Sequence, residues 1–127
     1  MECPYCKETV KITTGKEIYP HRLDLYSKNF YQCKNCDARV GCHNGTTKPL
    51  GRLANAELRE AKSMAHKAFD PIWRFGNKSR KAVYAWLAKE LKIDKHKCHI
   101  GMFDVCDCKR TIQVCDLYMD VTRLDNK

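Results

Sequence analysis

No stretch of this chain is apolar for long enough to span a bilayer. Nor does Met1-Glu2-Cys3 lead into the basic-then-apolar pattern of a secretion signal. These two absences point to a cytosolic protein with no membrane partner. Internal repeats, low-complexity tracts and a long disordered tail are missing too, and a balance of 43% hydrophobic to 31% charged residues is that of an ordinary globular chain. Recognisable catalytic order is also lacking: there is no H-E-x-x-H, no Walker loop, no G-x-S-x-G and no HNH-like spacing. The chain therefore reads as a binding protein before it reads as an enzyme.

What it does have is cysteine and positive charge. Nine cysteines, an odd number, without a secretion signal point to thiols and metal in a reducing compartment rather than to disulfides. The length, 127 residues, leaves room for one domain or for a small metal-held module joined to a compact helical body. A formal net charge of +9 favours a polyanionic partner, because lysines and arginines that neutralise phosphates release condensed counterions, and it would attract an acidic protein surface as well. Four thiolates on one zinc ion would subtract two from that charge and leave the protein basic.

Two C-x2-C pairs, Cys3-Pro-Tyr-Cys6 and Cys33-Lys-Asn-Cys36, carry the strongest signal. Each tight turn can aim two thiolates at a common centre, and two turns supply the four sulfurs of a tetrahedral zinc site. Four thiolates close that tetrahedron and leave no position for water or substrate, so the ion expected at Cys3, Cys6, Cys33 and Cys36 is structural. Between the pairs lie 26 residues. Within them Glu8 to Thr14 is β-branched and alternating, Gly15 is a stop, and Ile18 to Tyr26 suits another short strand around Pro20. Phe30-Tyr31-Gln32 leads into the second turn and Ala38-Arg39-Val40-Gly41-Cys42 leads out, the pattern of a zinc ribbon. Residues 41–51, with three glycines and a proline, read as a shaped loop linking two modules.

Helical periodicity follows. Leu58, Ala61, Ala65, Ala68 and Phe69 predict a helix from about Asn55, a plausible cap, to Phe69. Asp70-Pro71 predicts a restart, with a cap and a proline at the first helical position, and Gly76-Asn77 ends that short turn. Ser79 can cap a helix to about Leu91, whose Val83, Trp86, Leu87 and Leu91 form a core-facing stripe. A last helix is predicted from Asp104 or Asp107 to about Asp120, with Val105, Cys108, Ile112, Cys115 and Met119 on one face.

Other groups invite sharper ideas. Cys98, Cys106, Cys108 and a histidine could make a second metal site, but free cysteines commonly pack as small buried hydrophobes. Cys42 and His43 are neighbours in an extended segment and point to opposite faces, so they do not easily share an ion. His43, His66, Asp70 and His99 are weak catalytic candidates for phosphodiester hydrolysis. His66 and Asp70, four apart, can share a helix face, although Asp70 is explained equally well as a cap. From Arg74 to Lys97 eight cations stand against Glu90 and Asp94. A basic run of this kind is either a solvated helix face or a polyanion contact. Tyr5, Tyr26 and Tyr31 could stack on bases, but aromatic residues also pack small zinc modules.

With these residues placed, the chain resembles a small family of zinc-finger-containing proteins found largely in bacteriophages and prophages. The resemblance rests on C-P-Y-C at 3–6, Y-x-C-x-x-C-x-A-x-V-G-C-H at 31–43, G-T-x-x-P-L-G at 45–51, A-H-x-x-F-D-P-I-W at 65–73, Y-A-W-L-A at 84–88 and H-I-G-M-F-D at 99–104. It implies a phage-associated zinc protein in the cytoplasm of a bacterial host, and no particular activity. His43, His66, Asp70, His99 and Asp104 fall at recurrent positions of that pattern, whereas Cys106 lies outside it.

The expected fold is α+β: an N-terminal zinc ribbon of short antiparallel strands packed on a small C-terminal helical bundle. Residues 1–44 form the ribbon, 45–54 a connecting loop, 55–121 the helical domain and 122–127 a frayed tail. The expected function is nucleic-acid binding, with Lys78, Arg80, Lys81, Lys89 and Lys92 on phosphates. Alternatives are a phage-encoded inhibitor or adaptor gripping an acidic host protein, and a metal-dependent nuclease built on the histidines.

Overall fold

The computed structural model describes the backbone of residues 1–125 and the side chains of residues 1–122. The chain divides into two units, Met1–Glu57 and Leu58–Lys127.

The first unit is built on a three-stranded antiparallel sheet in the order β1 (Lys11–Thr14), β2 (Asn29–Cys33), β3 (Ala38–Gly41). Ile12 sits opposite Tyr31, Tyr31 opposite Val40, and Cys33 opposite Ala38. Strand alternation puts these residues on one face, and there Cys3, Val10, Cys33, Ala38 and Leu53 form the buried core. Between β1 and β2 the chain makes a single helical turn, α1 (Gly15–Ile18), and a 3-10 turn at Leu23–Leu25, where a short strand was expected. Glycine is required at 15 by close approach, because a Cβ there would lie 1.8 Å from the Leu25 carbonyl oxygen.

Residues 45–54, expected as a connector, instead fold back onto the sheet. Cys42 bridges to Pro49 and Arg39 to Ala54, Leu50 donates its N–H to the Gly41 carbonyl, and Leu53 enters the core. The Asn29 amide and the Tyr31 hydroxyl donate to the carbonyls of Thr46 and Thr47 and pin the tip of this excursion. Its backbone groups thus find partners within the unit, as a segment lying against a sheet requires.

The helices are α2 (Ala56–Phe75), α3 (Arg80–Leu91) and α4 (Val105–Asp125). α2 does not break at Asp70-Pro71. Leu58, Ala65, Phe69 and Ile72 are its buried positions, so the apolar stripe passes straight through the proline. Ser79 caps α3 as predicted, accepting from the Ala82 N–H at 3.0 Å. At the far end Lys92 adopts a left-handed conformation, and the Ile93 N–H returns to the Ala88 carbonyl in a Schellman closure.

Within the second unit Phe69 of α2 lies against Tyr84 of α3, ring centroids 4.3 Å apart, and the Arg110 guanidinium of α4 donates to the Leu91 carbonyl at 2.7 Å. Trp86, expected in the core, is only half-buried and lies beside Tyr118; Tyr84 occupies the buried position. Among the described side chains of α4, Cys108, Thr111 and Cys115 are fully buried; Cys108 and Cys115 belong to the predicted stripe and Thr111 does not. Thr111 is tolerated there because its hydroxyl donates to the Asp107 carbonyl. Asp104 caps this helix through the Asp107 N–H at 2.7 Å. α4 runs to Asp125, past the Thr122 at which fraying was expected; residues 126–127 of that expected tail lie outside the described residues. No helix among the described residues is long and apolar enough to cross a membrane.

Candidate metal centre

Two matching turns place the cysteines. After Cys6 the chain reverses with the Lys7 N–H on the Cys3 carbonyl at 2.8 Å, and after Cys36 the Asp37 N–H reaches the Lys34 carbonyl at 3.4 Å. Lys7 (φ 67°) and Asp37 (φ 49°) are both left-handed, the conformation that lets each pair double back with both thiols on its inner side. β2 delivers Cys33 to the core face, and the short Glu2–Thr9 bridge holds the first turn closed.

The four sulfurs lie within 4.8 Å of one another, with Cys6 Sγ and Cys33 Sγ 3.6 Å apart. Zinc–sulfur bonds of about 2.3 Å in a tetrahedron give sulfur–sulfur edges of about 3.8 Å, so one zinc ion fits this quartet. Cys3 is fully buried, Cys33 nearly so, and Cys6 and Cys36 are half-buried.

The proton chemistry of the thiols agrees. Burial raises the pKa of Cys3, but the backbone amides of Cys6 and Tyr5 and the thiols of Cys33 and Cys6 outweigh it and bring it down to about 7. At Cys6 the Glu8 amide and the Cys36 thiol favour the thiolate, yet burial and the thiols of Cys33 and Cys3 prevail and raise the pKa. Burial, with the thiols of Cys6, Cys3 and Cys33, pushes Cys36 up to about 12. Four thiols this close cannot all ionise on their own, since each negative charge opposes the next. A dication at their centre removes the conflict, and amides directed at Cys3 and Cys6 hold the thiolates in orientation.

The remaining cysteines form no second centre. Among the described residues the quartet is the only group of three or more Cys, His, Asp or Glu side chains with ligand atoms in mutual reach. Cys42, Cys98, Cys108 and Cys115 are buried, and burial raises each of their pKa values, to about 11 for Cys98 and Cys108 and about 12 for Cys115. Cys106 is exposed.

Of the weak catalytic candidates, His66 and Asp70 do share a face of α2, with Nδ1 and Oδ1 3.8 Å apart. Asp70 lies inside the helix and accepts from the Trp73 indole at 3.1 Å; it does not cap a new one. Burial, ahead of the opposing pull of Asp70, lowers the His66 pKa. His99 packs edge-on against Tyr84 with centroids 5.3 Å apart, and His43 is exposed in the first unit. Lys78, Arg80, Lys81, Lys89 and Lys92 are all exposed. The sequence reading missed Phe75, the last residue of α2, which is 84% exposed. Its position one residue before Gly76, at the end of an apolar stripe it does not join, is the signal that could have found it.

No curated protein and no solved structure matches the chain. A family model described as a zinc-finger-containing domain matches residues 1–118, which takes in the cysteine quartet, the sheet, α2, α3 and most of α4. With four cysteines gathered as that description requires, the protein holds one structural zinc ion and belongs to the zinc-finger-containing domain family.

Proposed function

We propose that the protein binds nucleic acid through the basic surface at the α2–α3 turn and along α3. One observation carries this reading. From Pro71 through Lys89 there is no acidic residue, and Arg74, Lys78, Arg80, Lys81 and Lys89 within that span are all exposed. Arg80 and Lys81 occupy the first turn of α3, which contains no acid, so they oppose the positive end of the helix dipole at about 0.3–1 kcal/mol each. The Tyr84 ring beneath Arg80 offsets part of that cost within α3, and a phosphate at the same place would offset it at both cations. Phe75, the exposed last residue of α2, lines a pocket with Lys67 and Arg74, a ring next to cations of the kind that single strands use for stacking and charge neutralisation, and Asp70 lines it too. Lys78 is steadied by Tyr118, 3.0 Å from its hydroxyl, and Arg80 lies over the Tyr84 ring.

Fluorescence anisotropy on the zinc-loaded protein tests the reading. Five phosphate contacts give a log–log salt slope of about −4.5 on duplex and about −3.5 on single strands. Replacing Lys81 and Lys89 by alanine lowers the magnitude of that slope by about two. No binding to either form at low salt would overturn the proposal. A phage-type accessory role rests on the block resemblance and takes this binding as its activity. A protein partner is the second reading, favoured by the exposed Leu117 (66%) and Val121 (49%) beside Trp86 and Tyr118.

A further inference from the structure

The face of the β2–β3 ribbon turned away from the cysteines borders a cleft of about 580 Å³. Phe30 and Gly41, paired across the two strands, line it together with Tyr19, Leu25 and Leu50. Tyr19 meets Phe30 edge-on at 5.7 Å and is held from the other side by Arg39, whose guanidinium lies 5.2 Å from the ring centroid and donates to the hydroxyl at 3.0 Å. The aromatic wall is therefore fixed before anything binds. Gly41 is outside the left-handed region, so its backbone would accept any residue. Its reason is space: a Cβ there would press to 3.3 Å from Phe30 and 3.7 Å from Leu50, into the floor of the cleft.

The rim is polar and of one sign. Arg22, Lys28 and His43 line it with Asn29 and Asn44, and no acidic residue does. Arg22 is fixed by a two-point fork to Asp24, at 2.9 and 2.8 Å, which aligns the guanidinium and partly offsets its charge. Arg22 and Lys28 are both exposed at the opening, and Asp24 attracts both, with the two-point fork falling to Arg22. A ligand fitting these walls has a flat apolar ring, hydrogen-bonding edges and a negative charge. A peptide side chain supplies the ring without the edges and the charge together.

We infer that this cleft takes a single unpaired nucleotide, its base against Phe30 and Tyr19 and its phosphate toward Lys28. The site lies in the zinc-bearing unit and is separate from the basic α3 surface, so it stands or falls apart from the function proposed above. A nucleotide of that kind comes either from a single strand or as a free monophosphate.

The test uses the full zinc-loaded chain, fluorescein-labelled oligothymidylate of ten nucleotides, a duplex of equal length, and thymidine monophosphate observed through the amide resonances of Gly41 and Cys42. Phe30→Leu removes the ring while keeping an apolar side chain, Gly41→Val fills the floor, and Lys28→Ala alters only the rim; zinc content reports that each variant is folded. Phe30→Leu and Gly41→Val weaken the oligothymidylate about tenfold and leave the duplex unchanged, because a paired base cannot enter. Lys28→Ala weakens it about threefold. Shifts at Gly41 and Cys42 with the monophosphate, but no binding of the strand or the duplex at low salt, identify a free nucleotide as the occupant and remove the α3 proposal while this one stands. Single-strand binding that survives both Phe30→Leu and Gly41→Val with zinc retained, together with no monophosphate shifts at Gly41 and Cys42, overturns the cleft and leaves the α3 proposal intact. Equal loss for strand and duplex in those variants overturns it as well.

Discussion

Lys7 and Asp37 adopt the same unfavourable backbone conformation at the same place in two unrelated stretches, one residue after the second cysteine of each pair. A left-handed residue with a Cβ costs about 1–2 kcal/mol; Asp37, a short polar residue whose carboxylate accepts from Arg39, bears that conformation more easily than Lys7. Lys7 is exposed, and Lys7→Gly should therefore stabilise the zinc-loaded protein by about 1 kcal/mol, read as a higher melting temperature with unchanged zinc content. The thiols themselves set a second expectation. With Cys36 pushed up to about 12 and Cys6 also raised, zinc must displace protons that the empty site holds firmly, whereas Cys3, at about 7, is already largely ionised at pH 7.5. Zinc uptake at pH 7.5 then releases at least two protons, those of Cys6 and Cys36, and affinity falls as pH drops. Calorimetry in buffers of different ionisation enthalpy measures that number, and a value near zero would contradict the assignment.

At the level of the element, α2 separates what the sequence discloses from what it conceals. Leu58, Ala65 and Phe69 announce the helix, but Asp70-Pro71 has every mark of a new start. The structure keeps one helix because Ile72 falls in register with Phe69 and Ala65, and burying it outweighs the bond that Pro71 cannot donate. Pro71→Ala restores a donor for the Lys67 carbonyl and removes the ring's clash with it, so it should raise stability by about 1–3 kcal/mol in chemical denaturation. In α3 the apolar spacing marks Val83, Leu87 and Leu91 as the buried side but does not settle which flank of that stripe is covered, that of Tyr84 or that of Trp86, two residues and about 200° apart on the helix. That choice depends on Phe69 and His99, which stack with Tyr84 from elsewhere in the chain. The α4 stripe was read rightly at Cys108 and Cys115 and missed Thr111 for a related reason. Thr111 is polar by type, and its fit in the core depends on a local hydrogen bond that composition does not register.

Across the whole molecule, legibility follows the range of the interaction. The quartet was readable because C-x2-C spacing is local and the chemistry of zinc dictates the rest. The ribbon's far-side cleft was not, since Tyr19, Phe30, Gly41 and Leu50 are ordinary residues made into a wall only by strand register and the return of residues 45–54. The basic surface was readable as charge, although its distribution over the exposed sides of two helices and Phe75 emerged only from the fold. The cysteine inventory closes with a practical consequence. Of nine, four face the zinc, four are buried elsewhere, and Cys106 alone is exposed. A maleimide dye added to the native protein should therefore attach once, at Cys106, and intact-mass measurement should show a single adduct that Cys106→Ser abolishes. Stripping the ion with a chelator should raise the count to about five. Each molecule thus carries its own gauge of metal occupancy, read by mass with no added reporter.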